Sequence, residues 1–310
     1  MTFGSSGLSL RPTRDEDLPH LTSFFGQRFG RSWTPEEHLW KYRSLPGQSR
    51  SVVAVEASGA ILAHAGALRL PARWRGGEAG IWQLVDFAGT PRNRGLRPAL
   101  VDLGNLLLDD LPREGDVPWI FGFPSPRHFR LGERAFEYRP LVEIEELGGP
   151  VPEAPQSLCV ETGDSCGDWA EVVWEACGVA GVRRSAAFLN WRYHARPHRY
   201  YRFYRLFSGS AEGLAVFAFV GEEAWAAELW LPIGSDWYPS LLAVAADLRA
   251  AGLKRWRFWP GFQTGDLLAS LGLGPTGERR FIGCRGRTGG ADPAAWAEGF
   301  VYAMGDYDLT

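Results

Sequence analysis

The chain repeats itself, and that repetition limits its possible folds more than any single motif does. Trp40, Tyr42 and Pro46 return as Trp191, Tyr193 and Pro197 at a constant offset of 151 residues. A basic residue lies between the aromatics both times, Lys41 and Arg192. Two strand-like segments follow in each copy: Ser51–Glu56 and Ala60–Leu70 in the first, Arg202–Phe207 and Ala211–Val220 in the second. The offset then falls to 141, where Pro98-Ala-Leu-Val-Asp-Leu matches Pro239-Ser-Leu-Leu-Ala-Val, so one connection is shorter in the second copy. Trp119-Ile-Phe parallels Trp256-Arg-Phe, and Leu131-Gly132 parallels Leu271-Gly272. Matches that keep the same order along the chain predict a duplicated domain.

A chain of 310 residues divides into two halves of about 150, each large enough to bury its own core. The Gly/Pro-rich stretch from Gly148 to Pro155 predicts the boundary, because it suits neither a helix nor a central strand. The expected organisation is an N-terminal domain over 1–148, a linker over 149–156 and a C-terminal domain over 157–310. An aromatic content of 13% excludes a disordered chain. No apolar run reaches the roughly 18 residues that span a bilayer. Met1–Gly7 has no basic flank leading into an apolar stretch, so the expected location is the cytoplasm, with no membrane partner. A net charge of −3 argues against a nucleic-acid partner, which needs a cationic field. Cys159, Cys166, Cys177 and Cys284 form no Cys-x-x-Cys pair and have no histidine at ligand spacing, which predicts free thiols and no metal.

Within the first copy a strand is expected at Leu8–Pro12 and a helix at Asp15–Phe25. Thr34-Pro35-Glu36-Glu37 reads as an N-cap, a proline at N1 and an acidic first turn, opening a second helix. Strands follow at Ser51–Glu56, Ala60–Leu70 and Gly80–Ala88. Leu96, Leu100, Leu103, Leu107 and Leu111 mark one face of a long helix. A strand at Trp119–Phe123, a short helix at Pro126–Leu131 and a strand at Phe136–Glu145 complete a mixed α/β domain. The junction before the long helix, Arg92-Asn93-Arg94-Gly95-Leu96-Arg97, carries the strongest chemical signal. A helix N-terminus offers unpaired N–H groups, Gly95 lets the backbone approach an anion, and three arginines surround it. The same pattern also describes an arginine-rich loop that caps an ordinary helix.

That strand, Arg92-x-x-Gly95 loop and helix resemble the acyl-CoA-binding motif of the GNAT N-acetyltransferase superfamily, departing from it at Arg97, where a small residue is usual. The element order is the GNAT order. Gly122–Ser125 through Leu131-Gly132 is similar to the superfamily's second cofactor-side motif, and the whole chain resembles bacterial tandem-GNAT proteins with a Trp-x-Tyr…Pro signature and an acidic tail, here Gly305-Asp306-Tyr307-Asp308. The resemblance implies two tandem GNAT-like domains of α/β (mixed-sheet α+β) class. It also implies acetyl-CoA or another acyl-CoA as co-substrate, bound between two splayed strands. Backbone groups of Phe87, Ala88 and Gly89 would meet the pantetheine arm, Arg92 through Arg97 the pyrophosphate, and Ser125 the second motif's contact. An amine would attack the thioester directly, whether of a small molecule, an amino sugar or a peptide N-terminus.

The second copy has Leu231-Pro232-Ile233-Gly234-Ser235-Asp236 at the matching junction. Ser235 or Asp236 would cap its helix, and a carboxylate there repels a pyrophosphate, so this half is expected not to bind CoA in the same way. Strand alternation puts Ile81, Gln83, Val85 and Phe87 on one face and Trp82, Leu84 and Asp86 on the other. The superfamily's usual glutamate position falls on Ile81 and its usual tyrosine on Phe129, neither of which titrates. Asp86 is the nearest carboxylate and reads either as a general base or as a structural acid; Glu78 is a weaker candidate. His128 could relay a proton or protonate the leaving thiolate, or it is a surface histidine. His64 reads as a core histidine. The recurring Trp40-Lys41-Tyr42-Arg43 segment reads as structural, and Tyr200–Arg205 as an interface strand. The alternatives to an acyltransferase are a non-catalytic binding or scaffolding protein on the same fold, and an aminoacyl transferase using charged tRNA.

Overall fold

A computed structural model describes residues 2–3, 8–45, 47–90, 96–112, 116–154, 160–261, 264–287 and 300–307. The first half runs β1 (Thr2–Phe3), β2 (Ser9–Pro12), α1 (Leu18–Phe29), α2 (Pro35–Tyr42), β3 (Gln48–Val55), β4 (Ile61–Trp74), β5 (Gly77–Gly89), α3 (Leu96–Asp110), β6 (Asp116–Gly122), α4 (Pro126–Phe136) and β7 (Arg139–Pro150). The second runs β8 (Val160–Gly163), α5 (Trp169–Ala176), β9 (Ala180–Val182), α6 (Ala186–Leu189), β10 (Tyr201–Ser208), β11 (Ala211–Val220), β12 (Glu223–Trp230), α7 (Tyr238–Ala250), β13 (Arg255–Phe258), α8 (Gly265–Ser270), β14 (Gly274–Gly286) and β15 (Phe300–Val301). Local sequence accounts for the helix starts. Thr34 and Glu37 form a reciprocal capping box at α2, with Pro35 at N1.

The strands form one continuous sheet in the order β1-β2-β3-β4-β5-β6-β14-β7-β13-β12-β11-β10-β8. This order contains an exchange. β14, the last long strand of the second half, inserts between β6 and β7, and β7 pairs with β13 of the second half. Each half therefore completes its sheet with the other's final strand. The expected break after Gly148 is corrected: Gly148, Gly149 and Pro150 continue β7, opposite Arg257, Trp256 and Arg255. A Cβ on Gly148 would sit 2.7 Å from Thr276 Cγ2, and one on Gly149 would sit 3.1 Å from the Gly272 carbonyl. Gly148 makes room for the Thr276 side chain and Gly149 for the Gly272 backbone, so these glycines serve close packing rather than a flexible connection.

Helix α3 covers one face of the first half, where Leu103 and Leu107 pack on Trp82 and Ile120. α1 covers the opposite face, with Phe25 against Val53 and Ala88. The central core belongs to both halves: Trp40, Trp119, Ile144, Trp191, Tyr201 and Ile282 share one buried cluster. The repeat is visible at its centre. Trp40 Nε1 donates to the Trp191 carbonyl at 2.6 Å, Trp191 Nε1 donates to the Trp40 carbonyl at 2.9 Å, and the two indoles stack with centroids 5.4 Å apart. Those reciprocal bonds mark a pseudo-two-fold axis and give the recurring tryptophan its structural role. Tyr201, Phe203 and Tyr204 are buried in β10, so they present no stacking platform to solvent. Among the described residues no helix is long and apolar enough to cross a membrane.

Candidate active site

β5 and β6 run parallel from Gly80↔Asp116 to Leu84↔Gly122, and then separate. Beyond Leu84, the edge of β5 facing β6 has no strand partner among the described residues, so its amide and carbonyl groups are turned toward the gap. The gap opens a cavity of about 330 Å³. Leu84, Val85, Asp86 and Phe87 line it from β5, and Leu107 and Leu108 from α3. Gly122, Pro124, Ser125, His128 and Phe136 line the β6–α4 side, and Gln83, Phe123 and Tyr307 lie on the opposite face.

A bulge sets the cavity's polar groups. His64 pairs with Ala88 and Gly66 with Val85, so two residues of β5 oppose one of β4, and Asp86 takes φ +51°. The alternation expected from sequence is therefore corrected beyond Val85. Phe87 joins the Leu84 and Trp82 face against α3, while Asp86 turns to α2. There Lys41 Nζ, fully buried, lies 2.9 Å from Asp86 Oδ1 and 2.8 Å from Oδ2, and the Tyr42 hydroxyl donates to Oδ2 at 2.6 Å. A Cβ on Gly66 would collide with that hydroxyl, so glycine is what admits Tyr42 to the site. The second half repeats the device: Tyr193, the repeat mate of Tyr42, donates to Glu228 on β12 at 2.5 Å. Sequence reading missed this pairing, although each copy holds one carboxylate late in its third strand.

Phe87 and Ser125 line the cavity, as does His128. The Ala88 side chain instead lies in the α1 core, and Gly89 is half-buried at the strand end. Arg92, Asn93, Arg94 and Gly95 lie outside the described residues; Leu96 and Arg97 are described only as the first turn of α3. Ser125 caps α4, accepting from the His128 backbone N–H, and its Oγ is 3.1 Å from His128 Nδ1. Burial, with Arg127 and Arg28 nearby, lowers the His128 pKa from 6.5, so the imidazole is neutral at pH 7. Phe129 stacks on Phe281 of β14. Glu78 is an exposed partner of Arg183. His64 is fully buried, with Nδ1 3.0 Å from the Asp86 carbonyl.

The matching region of the second half is built differently among the described residues. Asp236 Oδ1 accepts from the Tyr238 N–H at the start of α7, as its position predicts. Beside the end of β12 the described residues enclose a space of about 30 Å³, bounded by Trp230, Val301 and Tyr302. Below it Arg184, fully buried, bridges Glu228 at 2.9 Å and Asp306 at 2.7 Å.

No family model and no curated protein sequence matches the chain. Solved structures do. A GCN5-related N-acetyltransferase from Anabaena variabilis superposes with a TM-score of 0.63 at 12% identity, covering 91% of this chain and 73% of that one. One from Sphaerobacter thermophilus gives 0.56 at 15% identity over 94% and 99%. A tandem GNAT protein from the clavulanic acid biosynthesis pathway gives 0.59 at 12% identity over 92% and 100%. The fold is that of the GCN5-related N-acetyltransferases. More narrowly, it is the tandem form, with two GNAT domains in one chain.

Proposed function

We propose that the protein is an acyl-CoA-dependent N-acyltransferase whose first half alone binds the donor. The observation that carries this reading is the parting of β5 from β6 after Leu84, which leaves an unpaired strand edge beside an apolar cavity. Such an edge can hydrogen-bond the amides of an extended pantetheine arm as a partner strand would. The start of α3, with the arginines of the preceding loop, would take the pyrophosphate. When bound, the thioester supplies the activated acyl group.

The chain's own work is then positioning and proton transfer. A β5 amide facing the gap can stabilise the developing oxyanion. Asp86, paired with Lys41 and bonded by Tyr42, is held as a carboxylate that fixes the bulge rather than poised as a base. Neutral His128 can receive a proton released as the amine nitrogen bonds the carbonyl carbon and the C–S bond breaks. The paired Asp86 is also what favours a second reading, a non-catalytic CoA-binding protein. Calorimetric titration of acetyl-CoA into the wild type and an Arg94→Glu/Gly95→Asp variant tests the donor site. Micromolar binding that the variant abolishes is expected, and no binding to wild type overturns the acetyl-CoA assignment. Thiol release with an amine present separates turnover from binding alone.

A further inference from the structure

The cavity does not stop where the strands part. Leu107 lines it and also packs on Trp82 and Ile120, which are register partners below the parting at Leu84 and Gly122. On the α3–α4 face the space therefore continues beside the paired part of the sheet, against Leu107 and Leu108. We propose that this closed end holds the tail of the donor's acyl group, and that the donor is a medium-chain acyl-CoA with an unbranched, uncharged chain rather than acetyl-CoA. This rests on the donor reading above and deepens it.

Two glycines make the room. A Cβ on Gly104, inside α3, would lie 2.4 Å from Phe136 Cζ, and one on Gly132, inside α4, would lie 2.6 Å from Tyr138 Cδ2. Glycine weakens a helix interior. Here it lets both rings lie back against the helices, out of the space between them. Phe87, Phe136 and Tyr138 follow one another with centroids 6.0 and 6.3 Å apart, an apolar wall leading inward from His128, whose ring is 6.1 Å from Phe87. Burial pushes the Tyr138 phenol up against the opposing charge of Arg285, and Cys284 adds to the shift, so this ring stays neutral.

The strand edge limits what else can lie there. A pantetheine arm held as a partner strand ends at the fork, because below it the facing edges of β5 and β6 are bonded to each other. Only a group attached beyond the sulfur reaches Leu107. Among the described lining residues the one carboxylate, Asp86, turns away to Lys41 on α2, so a charged tail on the α3–α4 face would be buried without a partner. An alkyl tail meets leucine and aromatic surface, and enclosed apolar spaces in close-packed interiors take apolar guests. Trp82 is two residues below Leu84, about 7 Å of strand. That is the reach of roughly six carbons in an extended chain.

The test titrates CoA, acetyl-CoA, hexanoyl-CoA and decanoyl-CoA into the protein by calorimetry. Each methylene that leaves water is worth about fourfold in affinity. Hexanoyl-CoA is expected to bind at least about tenfold more tightly than acetyl-CoA, and decanoyl-CoA no more tightly than hexanoyl-CoA, because its chain overruns the closed end. Leu108→Phe shortens the space and should reduce the hexanoyl advantage over acetyl to below about threefold. Leu108→Ala lengthens it and should make decanoyl-CoA the tighter ligand. Melting temperatures show whether each variant is folded; should Leu108→Phe not fold, Leu108→Ala, a good helix former at a half-buried position, decides alone. Hexanoyl-CoA binding no more tightly than acetyl-CoA, affinity still rising at decanoyl in the wild type, or a ranking that folded Leu108 variants leave unchanged each overturns the proposal. If CoA binds and chain length has no effect, the tail pocket alone is lost; if neither CoA nor any acyl-CoA binds, the donor reading falls and this proposal with it.

Discussion

A left-handed backbone at a non-glycine residue costs on the order of 1–3 kcal/mol, and Asp86 sustains one inside a strand. The contacts from Lys41 and Tyr42 offset that cost, and the bulge they stabilise turns Phe87 into the cavity. Two histidines packed around this group make it sensitive to acid. His38, stacked on Tyr42, has its pKa pushed down to about 4 by burial, with His64, Arg43 and Lys41 opposing its charge and Asp86 favouring it. Above pH 6.5 it is neutral whether folded or unfolded. Below that the unfolded chain takes a proton the folded one refuses, so stability falls as pH drops from 6.5 toward 4. At pH 5 the cost from His38 alone is about 2 kcal/mol. Denaturant midpoints at pH 7 and pH 5 measure it: the drop for wild type should exceed that for His38→Gln by about this amount. An equal drop in both would show that His38 does not carry it. A period-two reading of β5 cannot foresee any of this, because a bulge is a tertiary event that moves every later residue to the other face.

At the scale of elements, most of the first half was legible. Hydrophobic period and capping chemistry place α2, β4, β5, α3 and β6 within a few residues of where they lie, because those signals are local. The exchange of β7 and β14 is not local, and Gly148–Pro150 misleads because glycine breaks an isolated strand yet serves a crowded one. The exchange has a physical consequence. Without the second half, β6 would lose β14, its partner opposite Trp119–Gly122, and β7 would lose both β14 and β13. A fragment ending at residue 152 would therefore carry an unpaired β7 and an open β6 edge, which is a template for association. It is expected to be oligomeric, two copies exchanging β7 as the two halves do here. Light scattering during size-exclusion chromatography decides this, and a stable monomer with native-like far-UV circular dichroism would show that each half completes its own sheet.

For the whole molecule, the two halves of the repeat differ where their third and fourth strands end. The first has a cavity of about 330 Å³, while the described residues of the second enclose about 30 Å³ at the matching place, yet the first half's cavity depends on the second half. Tyr307 is held at the cavity by second-half residues: Arg192 donates to the Gly305 and Tyr307 carbonyls, and Arg184 ties Asp306 to Glu228 on β12. Along with the strand exchange and the Trp40–Trp191 bonds, this makes the halves one cooperative structure. Calorimetric unfolding is expected to show a single transition, with van't Hoff and calorimetric enthalpies close to equal. The sharper test is Arg184→Met. Leaving Glu228 and Asp306 without their buried partner should cost about 3–5 kcal/mol. If the halves are one unit, the single transition moves down intact. If they are independent, a second transition separates, with the first half melting at its original temperature, and the C-terminal segment could not then be holding the first half's cavity together.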